Sequence, residues 1–214
     1  MFAEQIIASV LVCCITLCLG VNAWNLVKAR RTRRTHKSSS KTTPPKSPIF
    51  ALAAIGTMLF WLESFLYPIL VFSGLSFVFY SFPLQLRFPY DSWVQVFGII
   101  LTVIGYVLFS WSLIARERYA VSWGMAEHHR LVTWGPYRYV RHPSYLAYFL
   151  MIVGLLFMLL NLLVAPCLLA VPGYFQVADE EEKMLIARFG EQYRRYQRKT
   201  GRFWPRQRPK IYDD

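Results

Sequence analysis

Acid is scarce in this chain: 12 Asp and Glu stand against 24 Lys and Arg in 214 residues. That imbalance, with an isoelectric point near 9.8, could suggest a nucleic-acid surface. The basic residues argue otherwise, because they gather in short stretches between long apolar runs. Cysteine patterning is also missing. Cys13, Cys14, Cys18 and Cys167 all lie inside apolar runs, spaced for neither a disulfide framework nor a zinc site. They read as small buried hydrophobes, and no metal site is expected. What the chain does have is 55% hydrophobic residues in long runs, the composition of a multi-spanning membrane protein with one domain's length.

Ile6–Val27 is long enough to cross a hydrocarbon core of about 30 Å. Glu4 stands where a leader would be basic, and Asn22, Trp24 and Asn25 make a poor cleavage site, so this segment is expected to stay as a span. A polar Ser/Thr/Pro-rich linker follows, Lys28–Lys46, of a kind that does not fold alone. Further spans are expected at Ile49–Phe72 and Trp93–Ala115. Between them, Ser73–Ser92 reads as a re-entrant or interfacial segment. The apolar block Pro143–Val177 is either one tilted helix or a hairpin turning near Asn161 and Pro166. Charge separates the two. Lys28–Lys46 holds 8 Lys/Arg, Arg116–His142 holds 5 and Lys183–Lys210 holds 10, leaving only Arg87 elsewhere. The positive-inside rule wants all three stretches on the cytoplasmic side. A hairpin achieves this, with the N-terminus outside; a single fourth span would put the last ten outside. The expected fold is all-α and polytopic, with about five transmembrane helices including a C-terminal hairpin over 143–177.

Two polar segments flank that hairpin. The first is Leu131–Tyr145, dense in Arg, His, Tyr and Pro; the second opens with Asp179-Glu180-Glu181-Glu182. Gly135-Pro136 marks a turn, and Pro143 suits the first turn of a helix. Arg138, Arg141 and His142 then sit at a helix head, where free N–H groups favour anions. Interfacial anchoring is the plainer reading of single Arg or Tyr residues here. The four acids could bind a cationic ligand group or simply pair with Arg138 or Arg141. Glu63 is a further anomaly, an acid within a span and without an evident partner.

Three motifs together resemble the isoprenylcysteine carboxyl methyltransferases and the related phospholipid methyltransferases, integral membrane enzymes. They are H-R-L-V-T-W-G-P-Y-R-Y-V-R-H-P-S-Y over 129–145, Glu181-Glu182 with Leu185, Phe189-Gly190, Tyr193 and Tyr196, and K-T-G-R-F-W-P over 199–205. The resemblance implies S-adenosylmethionine in a cytoplasm-facing pocket. It implies contacts from His129, Arg130, Leu131, Val132, Tyr137, His142, Pro143, Ser144, Tyr145 and Glu181. The ligand carries a sulfonium, an ammonium and a carboxylate, so acid, base and aromatic groups together suit it. One departure stands out. Prenylcysteine-methylating members usually carry Arg four residues before that Glu, and here the position is Val177. Arg141 and Gln176 become the catalytic candidates.

The resemblance divides the chain into N-terminal transmembrane helices over 1–115, with a basic linker over 28–48, and a catalytic region over 116–214 with a basic cytoplasmic tail. The expected activity is methylation of a lipophilic acceptor, most simply a prenylcysteine carboxylate. The alternative is phospholipid N-methylation. A sterol-type reductase and a non-enzymatic lipid-binding protein are weaker readings. Partners are the lipophilic substrate and membrane lipids, not nucleic acid. The Ser/Thr/Pro linker leans to a eukaryotic source and the endoplasmic reticulum.

Overall fold

The structure, a computed structural model, describes residues 4–33, 39–41, 48–80, 84–116, 124–126 and 130–206. In chain order its elements are α1 (Glu4–Arg33), β1 (Ser39–Lys41), α2 (Pro48–Phe72), α3 (Ser76–Tyr80), α4 (Asp91–Arg116) and β2 (Gly124–Ala126). Then come a 3-10 turn (Gly135–Arg138), α5 (Pro143–Leu159), a 3-10 stretch (Leu162–Leu169), α6 (Ala170–Phe189) and α7 (Glu191–Lys199).

Among the described residues, four helical stretches are long and apolar enough to cross a membrane: Glu4–Lys28, Pro48–Phe72, Asp91–Arg116 and Leu162–Phe189. With α5, shorter but apolar, the five expected spans are all present. Large apolar residues such as Leu17, Met58, Leu62, Ile69, Phe97 and Ile104 face outward, as lipid-facing surfaces require. The chain is an integral, multi-pass membrane protein.

Two differences from expectation concern the linker. Lys and Arg are good helix formers, and α1 runs on through Arg33. Beyond it, β1 pairs antiparallel with β2, Ser40 opposite Met125, so part of the linker gains order from a distant segment rather than alone.

Helix packing is driven by small residues, as expected where lipid gives no hydrophobic drive between helices. A Cβ at Gly154 of α5 would lie 2.5 Å from the Thr102 hydroxyl of α4. One at Gly173 of α6 would lie 2.4 Å from the Cβ of Ala53 in α2. These contacts bring α4 against α5 and α2 against α6, and so place the hairpin arms between earlier helices. Between the helices runs an aromatic column: Tyr174 stacks with Tyr145 at 5.2 Å and with Tyr148 at 5.3 Å, and Tyr148 meets the Phe60 ring edge-on at 6.1 Å.

The hairpin turns at Leu160, whose φ of 50° ends α5 in the left-handed region. Asn161 then accepts from the Leu163 N–H at 2.9 Å and donates to Phe79 O and Gln85 Oε1, both at 3.3 Å. Carbonyls at the end of α5 lack helical donors. Gln95 Nε2 reaches Met158 O at 3.0 Å, Gln85 Nε2 reaches Leu159 O at 3.2 Å, and Leu86 N reaches Leu160 O at 2.7 Å. The segment expected to be re-entrant or interfacial thus closes the hairpin tip. Pro166 lies past the turn, inside the 3-10 stretch, where its missing N–H interrupts the α pattern.

Of the cysteines, Cys14, Cys18 and Cys167 are buried and Cys13 is exposed. Glu63 has a partner that its sequence context did not reveal. The Cys167 thiol donates to its carboxyl at 3.5 Å across the α2 interface.

Candidate functional site

At the hairpin end opposite the tip, the two polar segments meet. Pro143 starts α5 with His142 as its N-cap, and α6 continues past the apolar block to Phe189. Glu181 and Glu182 therefore arrive beside the head of α5. Tyr145 Oη donates to Glu181 Oε1 at 2.8 Å. His142 lies between the two acids: Nδ1 is 3.5 Å from Glu181 Oε2, and Nε2 is 3.0 Å from Glu182 Oε1.

The two acids differ in what is left over. Glu182 also accepts from Arg141 Nε at 2.9 Å and from Gln197 Nε2 at 2.7 Å, so donors surround it. Its side chain is 13% exposed, against 21% for Glu181. Glu181 keeps the freer carboxylate, poised for an outside cation. His142 is buried at 6% exposure. Burial alone would lower its pKa, yet the hydrogen bonds and charges of Glu181 and Glu182 prevail and raise it above the usual histidine value.

A second polar group sits on the α4 side. Arg116 Nη2 donates to Ser144 Oγ at 3.1 Å, and Ser112 Oγ lies 3.0 Å from the same oxygen. Tyr137 packs buried against Val132 and Ala115, its hydroxyl within reach of Ser112 and Ser144. Burial chiefly raises the Tyr137 pKa, keeping it a neutral phenol. Arg116 Nε is buried with no hydrogen-bond partner among the described residues. A buried, unspent guanidinium N–H is costly unless something uses it.

The sequence-nominated residues divide as follows. Val132, Tyr137, His142, Pro143, Ser144, Tyr145 and Glu181 come together at this end, with His142, Pro143 and Ser144 buried. Leu131 is partly buried beside them, and Arg130 is exposed. His129 lies outside the described residues. Arg141 commits Nε to Glu182 and Nη1 to the Gln197 and Thr200 carbonyls at 3.3 and 2.5 Å. Gln176 is partly buried on α6. Val177, one turn before Glu181, is 5% exposed within the core. Sequence reasoning missed Ser112 and Arg116. A cation ending an apolar span reads as an anchor, and only the α4–α5 contact turns it inward.

Residues 98–187 match the family model for the isoprenylcysteine carboxyl methyltransferase (ICMT) family. Protein-S-isoprenylcysteine O-methyltransferase A of Arabidopsis thaliana is 36% identical over 109 residues, 49% of this chain and 55% of that protein. The Tribolium castaneum protein-S-isoprenylcysteine O-methyltransferase is 27% identical over 161 residues, 72% of this chain and 51% of its own. A solved eukaryotic intramembrane Ras methyltransferase ICMT superposes with a TM-score of 0.47 at 25% identity, covering 76% of this chain and 54% of that one. The chain spans about half the length of these relatives. The matched segment contains the end of α4, the head of α5 and both acids of α6, the parts that build the site. Residues 98–187, which build the site, are thus similar to the isoprenylcysteine carboxyl methyltransferase family.

Proposed function

We propose that the chain transfers a methyl group from S-adenosylmethionine to the carboxylate of a prenylcysteine, at a site facing the cytoplasm. The observation that carries this reading is the convergence of Glu181, Tyr145 and the Arg116–Ser144 pair at one end of the hairpin, within the segment that matches the family.

The residues suit this cofactor. Glu181 can take its ammonium, the aromatic faces of Tyr137 and Tyr145 its positive sulfur or adenine, and residues 130–132 with Pro143 and Ser144 its remaining polar edge. When bound, the cofactor supplies an electrophilic methyl. A prenylcysteine carboxylate is already ionised at neutral pH, so the protein need not supply a base. Its work is alignment and exclusion of water. A carboxylate entering this half-buried end needs a cation, and with Val177 in the expected place Arg116 is best placed to give one. Arg141 and Gln176 remain candidates, though Arg141 is largely spent on Glu182 and on tail carbonyls.

In this reading, residues 116–214 with the end of α4 are catalytic, and 1–115 form the supporting N-terminal helices. The basic stretches set the cytoplasmic orientation, and the membrane is that of the endoplasmic reticulum if the source is eukaryotic. The lipid tail enters between helices from the bilayer.

Val177 favours a second reading, N-methylation of an aminophospholipid, because an amine acceptor needs no arginine. It would instead need to lose a proton before attack. Incubating the purified protein with methyl-labelled cofactor and either a prenylcysteine or an aminophospholipid decides between them. Label in the prenylcysteine as a base-labile ester is expected. Label only in the phospholipid would replace the first reading with the second.

A further inference from the structure

The tail beyond the family-matched segment folds back onto the site. Gly201 forms a parallel bridge with Val140; Arg141 N donates to Gly201 O at 2.9 Å and His142 N to Arg202 O at 3.0 Å. The return is tight: a Cβ on Gly201 would sit 1.6 Å from the Trp204 carbonyl oxygen, so only glycine fits. Phe203, 4% exposed, then packs on His142 at 5.8 Å, Phe149 at 5.2 Å and Phe175 at 4.8 Å.

Arg202 crosses from this strap to α6. Its Nη2 donates to Phe175 O at 3.0 Å and Asp179 Oδ1 at 2.6 Å, while Nε stands 3.9 Å from Glu182 Oε1. That Nε is buried and has no hydrogen-bond partner among the described residues. Arg141 makes the reciprocal crossing, from the head of α5 to the Thr200 carbonyl. Two guanidinium groups thus lace the strap to both arms of the hairpin, and both bear on Glu182.

We propose that Thr200–Phe203 is a positioning strap and that Arg202 is its positioning residue, acting through Glu182 and His142 to fix Glu181 for its ligand. The inference rests on the cofactor reading above. The reasoning is electrostatic. His142 is shared by two acids, and the share that each takes depends on how far other cations neutralise Glu182. With Arg202 and Arg141 both facing Glu182, His142 Nδ1 stays turned toward Glu181. Without Arg202, Glu182 draws the imidazole more strongly, and the strap loses its tie to α6. The effect falls on binding, since Arg202 reaches neither Tyr145 nor the Arg116–Ser144 pair.

The test uses the full chain in lipid nanodiscs with three proteins: wild type, Arg202→Ala and Arg202→Lys. Two readouts are needed, S-adenosylmethionine affinity and amide exchange of residues 140–142 without ligand. Arg202→Ala should raise Kd and KM for the cofactor about tenfold, or about 1.4 kcal/mol, with kcat within about twofold. It should also speed exchange at Arg141 and His142. Arg202→Lys, which keeps the charge but not the fork, should recover part of the affinity. Faster exchange with unchanged Kd would make the strap merely structural and overturn the inference. A fall in kcat at constant Kd would overturn it as well. If the wild type fails to bind S-adenosylmethionine, the cofactor reading falls and the inference with it; equal binding by wild type and Arg202→Ala removes the strap alone.

Discussion

The two ends of the α5–α6 hairpin face the same physical problem and solve it differently. Helix ends leave backbone groups without partners, and near lipid water cannot supply them. At the tip the answer is neutral: Asn161, Gln85 and Gln95 close the turn with side-chain amides. At the other end the answer is ionic, with Glu181, Glu182, His142, Arg141 and Arg202 crowded around the head of α5. Neutral amides would have sufficed there too, at lower desolvation cost. A cluster of charges where amides would serve points to a ligand that is itself charged.

The comparison can be broken most forcefully at Glu182. Glu182→Ala leaves the partly buried Arg141 and the buried His142 without their shared acceptor, which is expected to cost about 3–5 kcal/mol of stability. Thermal unfolding in nanodiscs measures this. A shift as small as that of an exposed-residue control would show that the ionic end is not a structural hub.

Glu181→Gln is milder for the fold and harsher for the ligand. It keeps an acceptor for Tyr145 but removes the charge, so affinity for S-adenosylmethionine should drop by about 1.5–3 kcal/mol with little change in melting temperature. Calorimetry of both proteins checks it, and equal affinities would remove Glu181 from the site. The tip should behave in the opposite way. Asn161→Ala removes three hydrogen bonds and should lower stability by about 1–2 kcal/mol while leaving cofactor affinity unchanged. A parallel loss of affinity would mean that the two ends are not separable.

Much of this contrast is legible in the chain itself. Apolar run length locates the spans, and the positive-inside rule selects a hairpin over a single helix. His142-Pro143 marks the head of α5, and the acids followed by Phe189-Gly190 mark the extension of α6. What the sequence hides are contacts between distant segments. Nothing local reveals that Gln85 and Gln95 reach the end of α5, because their partners are backbone carbonyls, which carry no residue signal. Arg116 reads as an anchor until α4 lies on α5. Arg202 sits in the K-T-G-R-F-W-P motif of the basic tail, where no role for this residue is legible, and its place follows from the reversal at Gly201. Glu63 looks orphaned because its partner is a thiol 104 positions away.

The smallest effect, and the one that sharpens the contrast furthest, is pH dependence confined to the ionic end. His142 faces Glu181 and Glu182 from α6, the Tyr145 ring from its own helix and Phe203 from the strap, with Arg202 close to Glu182. Its pKa in the fold is raised above the usual histidine value of 6.5 despite burial, so the folded state holds the proton more tightly than the unfolded chain. The stabilisation is therefore fully present below pH 6.5, and it is lost as pH rises through the folded value. Amides of Arg141 and His142 should exchange faster, beyond the intrinsic base catalysis, as pH is raised through that folded value. Those of Leu86 and Leu162 at the tip should show no such added pH dependence, since the side chains that close the turn there are amides. His142→Gln should flatten the first dependence and leave the second untouched. If wild type and His142→Gln give the same pH profile at residue 141, the imidazole is not the bridge between the acids, and the ionic end is held by its arginines alone.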